Sequence, residues 1–202
     1  MKDIERRAIA AEFRVEGDEK PKIIGYAAKF DTLSEETWGF REKIAPGAFK
    51  DALGTSDVRA LFNHDPNIVL GRNKAGTLTL VEDEIGLRYE ITPPDTQTAK
   101  DILESIRRGD VNQSSFAFSM KNGGIQQWED FPDGSSIRTI VKVAELFDVS
   151  PVTYPAYPDT ESGVRSAEQV FKEHQEERKT GSPAIEPDFF ILRARLALKE
   201  TE

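Results

Sequence analysis

Few residues in this chain can carry covalent chemistry. Among 202 residues there is no Cys and there are only two His, His64 and His174. His64 closes the alternating run DVRALF and precedes Asp65 and Pro66, which puts its imidazole at a strand edge. His174 stands among Lys172, Glu173, Glu176 and Glu177, the surroundings of a solvated helix face, and reads as a surface residue. A serine becomes a nucleophile when an imidazole in hydrogen-bond reach accepts its proton and a further acceptor orients that imidazole. The stretch VNQSSFAFSM offers Ser114 and Ser115, and ELFDVS offers Glu145 and Asp148 as orienting carboxylates. Three positions apart on a regular strand, these two acids point to opposite faces, so at most one can meet His64. Spacing alone selects neither acid, and neither serine.

Other chemistries find less support. Without thiols there is no disulfide framework, cysteine nucleophile or Cys-ligated zinc site. Neither His lies in H-E-x-x-H. There is no G-x-S-x-G elbow, no Asp-Thr-Gly pair, and no glycine-rich loop for a nucleotide phosphate. The acids of VEDE read as a solvated turn and not as paired glycosidase carboxylates. A Ser/His site or no catalysis is what remains, and neither needs a metal or cofactor.

The elements that must position these residues are short strands. AIAAEFRV and KIIGYAAKF flank GDEKP and predict a hairpin, with Gly25 marking a bulge or a close backbone approach. AFKDAL is long enough for one short helix. TLTLV with GLRYEI, and IQQWEDF with SSIRTIVKV around PDG, predict two more hairpins. Ala99, Ile102, Leu103 and Ile106 recur at helical spacing between Asp95 and Arg108, with Gly109 as the stop. In VNQSSFAFSM, Phe116 and Phe118 face one way and Ser115, Ala117 and Ser119 the other, leaving a small-residue face where an extended peptide could add to a sheet edge. Six or more strands and one main helix predict a mainly β (α+β) fold with a closed or nearly closed barrel.

The size and the 38% hydrophobic content suit one domain, here 1–160, followed by a charged helical tail, 161–202. AEQVFKEHQEERK reads as a polar helix, 181–187 as a breaker-rich linker, and DFFILRARLALKE as an amphipathic helix capped by Asp188. A net charge of -9 argues against a nucleic-acid surface. The start MKDIERRAIA lacks a signal peptide's apolar region, and no run approaches the roughly 20 apolar residues of a spanning helix. The expected compartment is the cytoplasm, with no membrane partner.

The segments GYAAKFDTLS, FREKIAPGAFKDAL, DVRALFNHDPNIVLGR, AGTLTLVEDEIGLRYE, GDVNQSSFAFSM and ELFDVSPVTYPAYPDT, in this order from about Arg7 to Arg165, closely resemble the tailed-phage prohead (procapsid) maturation proteases. The resemblance implies a serine endopeptidase with a compact β-barrel ringed by helices, similar to the herpesvirus assemblin proteases. It implies action inside the procapsid in the host cytoplasm, on the scaffold domain of the major capsid protein and on the protease itself. By motif it assigns His64 of N-H-D as general base, Ser115 before F-x-F as nucleophile, and Asp148 before V-S as the orienting acid. Many relatives carry Glu at that last position, so the shorter Asp148 leaves Glu145 as the second choice. The alternative is an inactive internal scaffold protein of the same fold.

Overall fold

The computed structural model describes residues 4–10, 13–17, 20–36, 39–154 and 161–180. Twelve strands and three α-helices are found among them. The 181–187 linker and the 188–200 helix expected from the sequence lie outside the described residues.

Three sheets form where one barrel was expected. The largest runs β1 (Glu5–Ala10), β9 (Gln113–Ser119), β12 (Glu145–Val152), β5 (Arg59–Phe62), β6 (Asp65–Arg72). A four-stranded sheet orders β2 (Arg14–Glu16), β3 (Lys22–Lys29), β8 (Gly86–Ile91), β7 (Leu78–Glu82). The third orders β10 (Ile125–Asp130), β11 (Ser136–Lys142), β4 (Phe40–Ile44). The first sheet ends in β1 on one side and β6 on the other, and these do not pair, so among the described residues no barrel closes.

The two later hairpins form as expected, β7 with β8 and β10 with β11. The first is split. Arg14–Glu16 pairs with Lys22–Ile24, whereas Glu5–Ala10 leaves for the other sheet and lies antiparallel to β9. What holds β1 there is far away in sequence. Arg7 Nε donates to Glu42 Oε1 at 2.6 Å, and Glu5 accepts from the buried Arg138 at 2.6 Å. Gly25 marks a close approach: a Cβ there would overlap the Cβ of Phe13 and come within 3.0 Å of the Tyr89 hydroxyl.

One core joins the first two sheets. Phe116 and Phe118 stack at 5.2 Å, and Phe49 meets Phe116 edge-on at 5.4 Å. Ile23, Ala27, Leu87, Tyr89 and Ile91 belong to the same cluster. The short helix α1 (Lys50–Thr55) adds Ala52. The helix α2 (Gln97–Arg107) buries Ala99, Ile102, Leu103 and Ile106, the four residues its spacing selects. Thr96 caps it by accepting the Ala99 N–H, and Gly109 follows at φ 81°. The helix α3 (Glu161–Thr180) is the polar helix expected after residue 160.

Candidate active site

His64 is carried by a turn and not by a strand edge. Phe62 pairs directly with Asp65, so Asn63 and His64 alone connect β5 to β6. Both lie in the left-handed region, at φ 54° and 57°. Two positive φ values in a two-residue loop are the pattern of a type I′ turn, and Asn and His are both among the non-glycine residues that take this left-handed backbone most readily. The turn is tied to the end of β12. The Asn63 N–H donates to the Pro151 carbonyl at 3.1 Å, and Asn63 Oδ1 accepts from the Thr153 N–H at 2.9 Å and its hydroxyl at 3.1 Å. The strand that bears the acid therefore fixes the turn that bears the imidazole.

Ser115 sits at the middle of β9, fully buried, opposite Ala8 on one side and Ser150 on the other. Its Oγ is 2.6 Å from His64 Nε2. It also lies 3.0 Å from the Arg7 carbonyl, to which it can donate. One hydroxyl proton thus has two acceptors in reach and serves one at a time. Ser114 faces the core, where its hydroxyl donates to the Tyr89 oxygen at 3.2 Å. Burial pushes that phenol up, so it stays neutral.

Asp148 reaches His64 because of a β-bulge. Along β12, Glu145 opposes Ser119 and Leu146 opposes Phe118, but Asp148 then opposes Ala117, with Phe147 unpaired between them. The extra residue reverses the alternation. Without it Asp148 would oppose Phe116 and point into the core. With it, Asp148 and Ser150 share the face of Ser115, while Val149 takes the place against Phe116. Asp148 Oδ1 is 2.5 Å from His64 Nδ1. The bulge also overturns the expectation that Glu145 and Asp148 face opposite ways: both lie on the Ser115 face, and Glu145 misses His64 because it stands exposed at the far end, opposite Ser119.

The structure thus brings His64, Ser115 and Asp148 together from sequence separations of 51 and 84 residues. The imidazole has one nitrogen on a hydroxyl and the other on a carboxylate, the order in which a base activates a nucleophile while an acid fixes its tautomer. A sequence model of the caudovirus prohead serine proteases matches residues 8–175. The chain belongs to this family. The solved structures include a similar one, the capsid assembly protease of bacteriophage T4, at 10% identity and a TM-score of 0.37, covering 71% of this chain and 98% of that one. No curated protein sequence matches significantly. For this family member, a serine peptidase by descent, the buried Ser/His/Asp line is the candidate active site.

Two further expectations change. The edge of β9 is not free, since β1 occupies one side and β12 the other; a peptide cannot add directly to the serine strand. His174 is not a surface residue. It is 8% exposed, stacks on Trp128 at 4.1 Å with a 6° interplanar angle, and holds Asp130 at 3.0 Å through Nε2. Burial pushes the Asp130 carboxyl up, but the hydrogen bonds from His174 and Ser136 outweigh it and leave the group below its usual range. The polar neighbours of His174 hid a single inward face. Sequence reasoning also passed over Asn63 and Ser150. An Asn between two strand runs signals a left-handed turn position, and Ser150 follows Asp148 by two, the spacing of one strand face.

Proposed function

We propose that this chain is an endopeptidase of phage capsid maturation, with Ser115 as nucleophile, His64 as general base and Asp148 as the group that orients and electrostatically supports the imidazole. The observation that carries the reading is the continuous contact from Ser115 Oγ through His64 to Asp148 Oδ1, at 2.6 and 2.5 Å. With Asp148 accepting the Nδ1 proton, Nε2 presents its lone pair to the serine. As Oγ attacks a peptide carbonyl its proton passes to Nε2, and the imidazolium formed is stabilised by Asp148. His64 then returns the proton to the leaving amine, giving the acyl-enzyme on Ser115. Water activated by the same imidazole hydrolyses that ester and restores the serine.

The substrates in this reading are the scaffold domain of the major capsid protein and the chain itself, cleaved inside the procapsid. The catalytic unit is residues 1–160, and the tail beyond Gly181 serves docking. Co-expression with the cognate capsid protein tests the assignment. Ser115→Ala abolishes capsid processing and Ser114→Ala retains it; continued processing by the Ser115 variant would remove it from the nucleophile role. Truncation after Gly181 leaves peptide hydrolysis intact and lowers incorporation into procapsids, measured by protease content per purified particle.

A further inference from the structure

Ser150 is fully buried, directly opposite the nucleophile across the β9–β12 ladder, and on the same sheet face as Asp148. Its hydroxyl donates to Asp148 Oδ1 at 2.8 Å. That is the oxygen that receives His64 Nδ1, and the Ser150 oxygen lies 3.4 Å from Nδ1 itself. One carboxylate oxygen therefore receives two donors, the imidazole N–H and a hydroxyl set into the angle between them.

We propose that Ser150 is a positioning residue that holds the Asp148 carboxylate and disperses its charge, so that a short acid displaced by the bulge meets His64 in a single orientation. Three observations converge on this. The bulge that swings Asp148 onto the Ser115 face swings Ser150 with it. Asp has one fewer rotatable bond than Glu but no intrinsic preference for aiming Oδ1 at Nδ1, and the Ser150 hydroxyl touches that same oxygen at 2.8 Å. A buried carboxylate oxygen cut off from water is also satisfied by the donors around it, and Asp148 Oδ1 has two, His64 Nδ1 and the Ser150 hydroxyl. The inference rests on the Ser115–His64–Asp148 reading.

The test uses the full chain with two readouts. A fluorophosphonate reagent measures the rate of covalent capture of Ser115, with the site located by peptide mass. The 15N resonance of His64 Nδ1, read through its ring carbon protons and distinguished from His174 by a His174→Asn spectrum, reports the bond to Asp148. Ser150→Ala is expected to slow capture about tenfold and to move the Nδ1 resonance. Ser150→Thr, which keeps the hydroxyl, restores both. Should the added methyl destabilise this buried position, Ser150→Cys, a weak donor of similar size, falls between Ser and Ala. An unmoved resonance overturns the proposal even if capture slows, because a merely packed side chain would act that way; an unchanged rate overturns it as well. If the wild-type chain is not captured at Ser115, the nucleophile assignment falls, and the Nδ1 comparison alone decides whether Ser150 acts on the Asp148–His64 pair.

Discussion

Asp148 stands where geometry leaves no room for error, because its Oδ1 is in contact with both His64 Nδ1 and the Ser150 hydroxyl. Asp148→Asn preserves the shape and presents either an acceptor or a donor to Nδ1. If the amide N–H faces Nδ1, the imidazole must carry its proton on Nε2, and Nε2 can no longer accept from Ser115. Loss of activity by about 10³–10⁴ is therefore expected with little change in stability. Peptide hydrolysis and urea denaturation of the same preparation check it; an active Asn variant would exclude Asp148 as the orienting acid. The residue types were legible in sequence, since His64 is the one base left once His174 reads as a surface residue; His174 is in fact buried, and its imidazole is held by Asp130. The choice between Glu145 and Asp148 was not. It depends on one unpaired residue, Phe147, and nothing in ELFDVS announces that the ladder slips there.

At the scale of elements, local signals held for one helix and two hairpins but missed the β5–β6 hairpin, whose two-residue turn reads in the sequence as a strand edge. α2, its Gly109 stop, and the hairpins of β7–β8 and β10–β11 follow from periodicity and turn residues. They failed for β1, whose place beside β9 is set by ion pairs to Glu42 and Arg138, 35 and 133 residues away along the chain. The β5–β6 turn is the element with most bearing on chemistry, and its conformation makes a sharp prediction. Asn63→Ala and Asn63→Gly both lose the bonds to Thr153, but only Ala must hold φ near 54° with a Cβ. The Ala variant should be about 1 kcal/mol less stable than the Gly variant, read from urea midpoints. Both should lower peptide hydrolysis, since His64 is the next residue in the same turn. Equal stabilities would mean that the left-handed backbone carries no strain.

At the scale of the whole molecule, a group of two arginines and two glutamates joins β1, the neighbour of the Ser115 strand, to the third sheet. Arg138, 1% exposed, reaches Glu5 at 2.6 and 3.1 Å, Glu42 at 2.7 Å and Gln126 at 2.7 Å. Arg7 reaches Glu42 at 2.6 and 3.0 Å and Glu5 at 2.7 Å, and its own carbonyl is the second acceptor for Ser115. The group ties β1, β4 and β11 together, three strands of two sheets, and its charges balance. Removing one charge leaves an opposite one buried and unmatched, which costs about 3–5 kcal/mol. Arg138→Met or Glu42→Leu alone should therefore destabilise the fold more than the two together, which leave the neutral Glu5–Arg7 pair; a double variant worse than either single one would show that the network is not organised by charge balance. Acid acts on the same group. Burial pushes the Glu42 carboxyl up, but Arg7 and Arg138 outweigh burial and hold it below its ordinary value of 4.5. A carboxylate lowered on folding contributes stability that is complete above its unfolded value and is lost as pH falls through its folded one. Unfolding free energy should accordingly decline below about pH 4.5, and Glu42→Gln, already weaker at neutral pH, should decline less steeply over that interval. Urea titrations at a series of pH values compare the slopes, and parallel curves would remove Glu42 as a source of the acid sensitivity.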